Sequence, residues 1–171
     1  MSLNTLITLN TLTPQQQAFL SMAAIAANQS EQATGVPAAF TLSQAIFESG
    51  WGSAMPGNNC FGIKADGHGS GVHYSITQEY LNGQWHTMSL AFESYGTLTD
   101  CFNDHARLIT QGPYLSAWQA YQQGHDMDAF IRAVSPIYAT DPTYAAKMLS
   151  EAHSLIVTQA LVAAMPPKGI T

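Results

Sequence analysis

A short helix that ends on a carboxylate constrains this chain more than any other feature. Pro37 suits the first turn of a helix and Gly50 the position just past its end. Between them Leu42, Ala45, Ile46 and Ser49 recur at helical spacing and form a small apolar face, which predicts a helix over 37–49. Glu48 falls in its last turn. The negative end of the helix dipole disfavours an ionised carboxyl there, and so do the neighbours Ile46, Phe47 and Trp51. Both effects raise its pKa. A carboxyl held neutral near neutral pH can donate a proton, as glycosidic bond cleavage requires. These residues alone leave a plainer reading open, a solvated Glu at a frayed helix end, which is the common situation of a lone helix acid.

The other elements follow from cap and turn chemistry. Residues 1–12 are polar and aperiodic and read as a loose arm. Thr13-Pro14 is an N-cap followed by N1. The helix it opens is expected to run to about residue 28, with Ala18, Phe19, Met22, Ile25 and Ala26 on one face and a loop over 29–35. Residues 50–71 hold seven glycines and Pro56, a long irregular stretch of the kind that is often functional. It would line one wall of a cleft, with Asn59 and Phe61 as amide and ring contacts to an N-acetyl sugar. A turn-forming Asn59 and a core Phe61 fit equally. Two strands, 72–80 and 84–92, flank Asn82-Gly83, a type I′ pair that sets Glu79 opposite His86.

Thr97 caps a further helix with Asp100 at the box position. Its apolar stripe is Leu98, Cys101, Phe102, His105, Leu108 and Ile109, which makes His105 a hydrogen-bonded core residue rather than a ligand. Gly112-Pro113 ends that helix. Short helices follow over 114–123 and after Asp126, the latter with Phe130, Ile131 and Val134 inward. A loop is expected over 135–141, then Asp141-Pro142 as cap and N1 of a last helix over 142–163 that carries Tyr144 in its first turn. Domain boundaries are set at 13–165, with 166–171 as a tail.

Two stretches, Gln44-Ala45-Ile46-Phe47-Glu48-Ser49-Gly50-Trp51-Gly52 and Asn58-Asn59-Cys60-Phe61-Gly62-Ile63-Lys64, resemble the bacterial cell-wall N-acetylglucosaminidases of glycoside hydrolase family 73, which include flagellar-rod proteins and autolysins. The resemblance continues through Tyr138-Ala139-Thr140-Asp141-Pro142-Thr143-Tyr144-Ala145-Ala146-Lys147 and covers roughly residues 14 to 156. Glu-Ser-Gly by itself is also found in lytic transglycosylases. The order of the three motifs is what makes the match specific. It implies an α+β, mostly α, lysozyme-like fold with one small β-hairpin beside the substrate groove. It implies hydrolysis of the β-1,4 bond between N-acetylglucosamine and N-acetylmuramic acid in peptidoglycan, with Glu48 as acid and no cofactor. Glu79, in Thr77-Gln78-Glu79-Tyr80, resembles the family's second acid, and Tyr144 its functional tyrosine. Trp51, Asn59, Phe61 and Tyr138 are the candidate substrate contacts. The partner of Glu48 stays open between Glu79 as base and the substrate's own acetamido group assisted by Tyr144.

Composition bounds the rest. At 171 residues the chain is most simply one domain with a real core, and 46% hydrophobic residues argue against disorder. Only 9% of residues are charged and the net charge is −6 with no basic block, which disfavours nucleic acid and simple attraction to an anionic membrane or wall. No apolar run reaches membrane-spanning length. No secretory signal is read in residues 1–12. The expectation is therefore a wall-cutting domain delivered into a target cell's periplasm as a type VI secretion effector, with an immunity protein that occludes the groove, or else a phage endolysin; a muramidase or lytic transglycosylase on the same fold and a non-catalytic wall-binding module are the remaining alternatives. There is no His-Glu-x-x-His and no Cys-x-x-Cys to suggest zinc. Cys60 lacks the surroundings of a cysteine-peptidase nucleophile. Cys60 and Cys101 could form a disulfide or remain two buried thiols.

Overall fold

The computed structural model describes residues 11–166, and within the hairpin the side chains of 79–81 lie outside the described residues. Of the expected arm over 1–12, residues 1–10 lie outside them, and so do residues 167–171 of the expected tail over 166–171. Seven α-helices and one antiparallel hairpin make up the described chain: α1 (Pro14–Thr34), α2 (Ala38–Glu48), β1 (Gly71–Leu81), β2 (Gln84–Ser94), α3 (Leu98–Ile109), α4 (Leu115–Gly124), α5 (Met127–Tyr138), α6 (Tyr144–Ala152) and α7 (Leu155–Ala163). Two single turns of 3-10 helix, Pro56–Asn58 and Gly112–Tyr114, lie in the connections. This is the α+β, mostly helical, lysozyme-like architecture expected from sequence.

α2 is central because almost every side of it is covered. Phe40, Leu42, Ala45 and Ile46 are buried, as are the polar Thr41, Ser43 and Gln44. Leu42, Ala45 and Ile46 join one cluster with Phe19, Leu20, Phe61, Phe102 and Val157. Phe40 joins a second with Ile109, Phe130, Ile131, Val134 and Met148. α3 also feeds both, through Cys101 and Phe102 on one side and Ala106 and Ile109 on the other. Its stripe and its Thr97–Asp100 capping box are as the spacing predicts.

Three helix boundaries depart from expectation. α1 continues past residue 28 to Thr34, because only Gly35 breaks the run; Gly35 takes φ 79° and its N–H caps Glu31 O. Just before the extra turns, Asn28 Nδ2 donates to Leu161 O at 2.9 Å, and on them the Thr34 hydroxyl donates back to Ser30 O at 2.7 Å. α5 runs through Ser135 and Pro136 to Tyr138, where a loop was expected, and Ala139 N–H still bonds Ser135 O at 3.0 Å. The expected final helix is two. Asp141 does not cap at Pro142; its carboxylate accepts from Thr143 N at 2.8 Å and the helix starts at Tyr144. His153 ends α6, and Ser154 opens α7 by accepting from Val157 N at 3.1 Å.

The hairpin has the predicted register, Glu79 opposite His86, with Asn82 at φ 52° and Gly83 at φ 83° in the turn. Its base is fixed by a bridge between Lys64 and Phe92 and by Glu93. Glu93 is buried and accepts four backbone N–H groups: Asp66, Gly67 and His68 on Oε1 and Gly69 on Oε2, at 2.6–3.1 Å. Burial pushes its carboxyl upward, but these four donors outweigh that and hold it below the usual carboxylate range. No helix among the described residues is long and apolar enough to cross a membrane.

Candidate active site

Glu48 closes α2, and the turn behind it is fixed by backbone bonds. Gly50 N–H reaches Phe47 O at 3.4 Å and Trp51 N–H reaches Ile46 O at 3.0 Å, the paired bonds of a Schellman ending. Gly50 and Trp51 both take positive φ, 54° and 58°. Gly52 follows at φ 75°, where a Cβ would run into the Phe19 ring. The helix end therefore cannot shift without displacing the first core cluster, and Glu48 projects from it at a fixed place. Trp51 is half-buried and packs on that cluster.

Across from Glu48 stands Tyr144, the first residue of α6. Its hydroxyl donates to Glu48 Oε1 at 3.0 Å, and Gln44 Nε2 donates to the same hydroxyl oxygen at 3.1 Å. Gln44 and Glu48 lie one turn apart on α2, so the tyrosine oxygen bridges successive positions of a single helix face. Glu48 is exposed as a residue, yet its carboxyl end is partly desolvated. That desolvation raises its pKa above the ordinary value, against the opposing pull of the Tyr144 hydrogen bond. Tyr138 stacks on Tyr144, ring centroids 5.9 Å apart and 17° from parallel. Burial, with the Glu48 charge nearby, lifts the hydroxyl pKa of both tyrosines, so both stay neutral.

Tyr138 also lines a groove of about 740 Å³ bounded by the irregular stretch, α3 and the 112–114 turn. Phe61, Ile63, Lys64, Asp66 and Tyr114 form its other walls. Glu48 is not among them; Tyr138 and Tyr144 connect acid and groove.

The structure brings Glu48, Tyr144 and Tyr138 together. Phe61 is buried and stacks on His105 at 3.9 Å and 17°, with only an edge of it on the groove. Asn59 is turned inward. Its amide donates to Ile63 O and Glu93 O, and its Oδ1 accepts from Phe61 N and Ile63 N, so its hydrogen-bonding capacity goes into shaping the loop rather than reaching a sugar. The Glu79 side chain lies outside the described residues. Cys60 and Cys101 are buried free thiols, with Cys60 N–H directed at Cys101 Sγ at 3.4 Å. His105 is core, but neither ring nitrogen has a partner among the described residues, which corrects the expected hydrogen bonds. Sequence reading missed Gln44 and Glu93. The signal for Gln44 was present, an amide one turn before the acid inside a mostly apolar helix.

A carboxyl with raised pKa at a helix end, facing a tyrosine beside a groove in a mostly helical fold with one hairpin, defines the lysozyme-like class of glycoside hydrolases. The sequence model of the Glucosaminidase family, described as mannosyl-glycoprotein endo-beta-N-acetylglucosaminidase, matches residues 24–155. The chain belongs to this family.

Similar proteins include a probable N-acetylmuramidase of Lactococcus lactis, 34% identical over 146 residues that span 80% of this chain and 33% of that protein. The peptidoglycan hydrolase FlgJ of Vibrio parahaemolyticus is 37% identical over 131 residues, 72% of this chain and 42% of its own. The chain thus spans less than half the length of these relatives. Among solved structures, the catalytic domain of the Listeria monocytogenes autolysin Auto superposes with a TM-score of 0.72 at 25% identity, covering 94% of this chain and 98% of that one. A peptidoglycan hydrolase mutant from Sphingomonas sp. A1 gives 0.66 at 33% identity, over 86% and 99%.

Proposed function

We propose that this chain hydrolyses peptidoglycan at the β-1,4 bond between N-acetylglucosamine and N-acetylmuramic acid, with Glu48 as general acid. The observation that carries the reading is the Glu48 carboxyl, raised in pKa by desolvation and held by the Tyr144 hydroxyl at 3.0 Å. The proton of the Glu48 carboxyl moves to the glycosidic oxygen as the bond from that oxygen to the anomeric carbon breaks. Water completes the reaction at the anomeric carbon. Glu79 is the candidate base for that water, from a strand position opposite His86. The alternative route uses the substrate's acetamido oxygen, with Tyr144 stabilising the charge that develops. In a sugar complex, carboxyls about 6.5–9.5 Å apart would favour the Glu79 route.

Product analysis tests the reading. Purified peptidoglycan digested with the protein should release chains ending in reducing N-acetylglucosamine. Glu48→Gln should slow release at least about 100-fold, the low end for loss of a general acid. Residual activity above about a tenth of wild type removes Glu48 from that role. The Lactococcus relatives, named as probable N-acetylmuramidases, favour one second reading, cleavage on the other side of the muramic residue. Reducing muramic ends would establish it, and anhydro-muramoyl ends would point to a lytic transglycosylase.

Delivery is part of the proposal. A net charge of −6 with few basic residues gives no electrostatic hold on an anionic wall, which suits a domain brought to its substrate by other means. It acts in the periplasm of a target cell as a type VI secretion effector, and its producer carries an immunity protein that covers the groove beside Glu48 and Tyr144. Expression with an added periplasmic signal should lyse the host in a Glu48-dependent way, and a neighbouring reading frame's product should suppress lysis by direct binding. Lysis that no neighbouring product relieves, in a locus of phage structural genes, supports a phage endolysin instead.

A further inference from the structure

Gln44 is fully buried in a helix whose other interior residues are mostly apolar. Its Oε1 has no partner among the described residues, a burial that Leu or Met at the same site would avoid. What the amide supplies is one N–H aimed at the oxygen of Tyr144, 3.1 Å away. We propose that Gln44 is a positioning residue that fixes the direction of the Tyr144 hydroxyl proton and thereby selects which oxygen of Glu48 carries the catalytic proton. The proposal rests on Glu48 acting as the acid.

The hydroxyl proton of a tyrosine lies near the ring plane on one of two sides, so a donor that occupies one side leaves the proton the other. With the Gln44 N–H on a lone pair, the hydroxyl proton is left to point at Glu48 Oε1, 3.0 Å away. An oxygen receiving that proton cannot hold another along the same line, because two donors would then face each other. The acidic proton of Glu48 is thereby placed on Oε2, which makes no hydrogen bond to any described residue and belongs to an exposed side chain. From there it can pass to a leaving oxygen: the Oε2–H bond breaks, the glycosidic oxygen gains the proton, and the carboxylate left behind keeps the Tyr144 hydroxyl on Oε1. Without the Gln44 N–H the hydroxyl can turn round and accept from a protonated Oε1, which parks the proton away from the substrate.

The ionisable groups facing Glu48 are the hydroxyls of Tyr144 on α6 and Tyr138 on α5, with Tyr114 beyond them. The other helices packed on α2, α1 and α7, contribute no ion pair to Glu48 among the described residues.

The test uses Gln44→Met and Gln44→Leu, which remove the amide but keep an apolar side chain of similar size. Both should melt no lower than wild type while kcat on peptidoglycan falls at least about 10-fold with KM little changed. Losing the fixed donor to the ionised carboxyl raises the Glu48 pKa, so the alkaline limb of the rate profile and the carbon-13 titration of the Glu48 carboxyl should both move up by about half a pH unit or more. Tyr144→Phe should give a similar shift, and adding Gln44→Met to it should move the limb no further, since both act through one hydroxyl. A Gln44→Met enzyme with wild-type rate and limb overturns the proposal, as do independent, additive shifts in the double variant. Activity lost in both Gln44 variants only together with the fold assigns the residue to the core and also overturns it. Glu48→Gln, assayed alongside, separates the two levels: full activity there sinks the proposed acid itself, whereas an inactive Glu48→Gln beside an unshifted Gln44→Met sinks only the positioning role.

Discussion

His105 shows how far a single residue can be read without its neighbours. The apolar stripe placed it in the core, and it is 2% exposed. Neither ring nitrogen finds a partner among the described residues, because the ring's nearest neighbours are the aromatic faces of Phe61 at 3.9 Å and Phe40 at 6.2 Å. Desolvation pushes its pKa down to about 3 from an ordinary 6.5. The unfolded chain therefore binds a proton that the folded chain refuses. His105's contribution is fully present above pH 6.5 and is lost as pH falls toward 3, by about 2–3 kcal/mol at pH 4.5. Glu48, Glu31 and Glu151 run the other way, since desolvation raises each of them and protonation then favours the fold. The difference between wild type and His105→Leu isolates the histidine. Urea unfolding between pH 7.5 and 4.5 should show wild-type stability falling relative to the variant, and parallel curves would contradict the buried neutral ring. The place of Glu48 at a helix end was legible because helix end and acid are both sequence-local. For Asn59 the structure takes the turn-forming of the two readings, through Ile63 and Glu93. The contact of Gln44 was not legible, because it depends on Tyr144, which the fold brings from elsewhere.

At the scale of elements, cap and turn residues predicted starts better than stops. Thr13, Thr97 and the Asn82-Gly83 turn stand where sequence put them. Pro136 and the break at Ser154 were misjudged, because a proline near a helix end and a serine between two helix-forming runs each permit two outcomes that only packing decides. The loop over 65–70 was read as irregular, and so it is, but it is held to β2 by the Glu93 carboxylate. Gly69 is required there. A Cβ at that position would meet the Glu93 carboxylate and lie 2.7 Å from Ser94 O, neither of which can yield. Gly69→Ala should destabilise the fold by about 2–3 kcal/mol in urea unfolding, through overpacking and lost amide bonds to a buried carboxylate. It should also raise KM for peptidoglycan, because the same loop supplies Asp66 to the groove wall and adjoins Lys64. A variant as stable as wild type would show that the loop is not anchored this way.

Over the whole molecule, Cys60 and Cys101 join the irregular stretch to α3 across the first core. A disulfide would close about 40 residues and add roughly 3–4 kcal/mol in the chain-entropy model. With both as free buried thiols, and the Cys101 pKa pushed up by burial, neither is an active nucleophile in the folded state. Reductant should leave the melting temperature unchanged, and unfolded, unreduced protein should titrate two thiols. A clear fall in melting temperature on reduction would instead show a bridge. The placement of α2 between both cores has a consequence for how such a protein can diversify. Glu48, the proposed proton donor, sits on a segment that packs into both interiors, so changes in either half that alter packing should also alter the site. Change is better tolerated in the hairpin, whose described anchors, the Lys64–Phe92 bridge and Glu93, lie at its base. On the proposed function, new glycan preferences are therefore most accessible through exchange of that hairpin, with Glu48 and the helix that carries it left untouched.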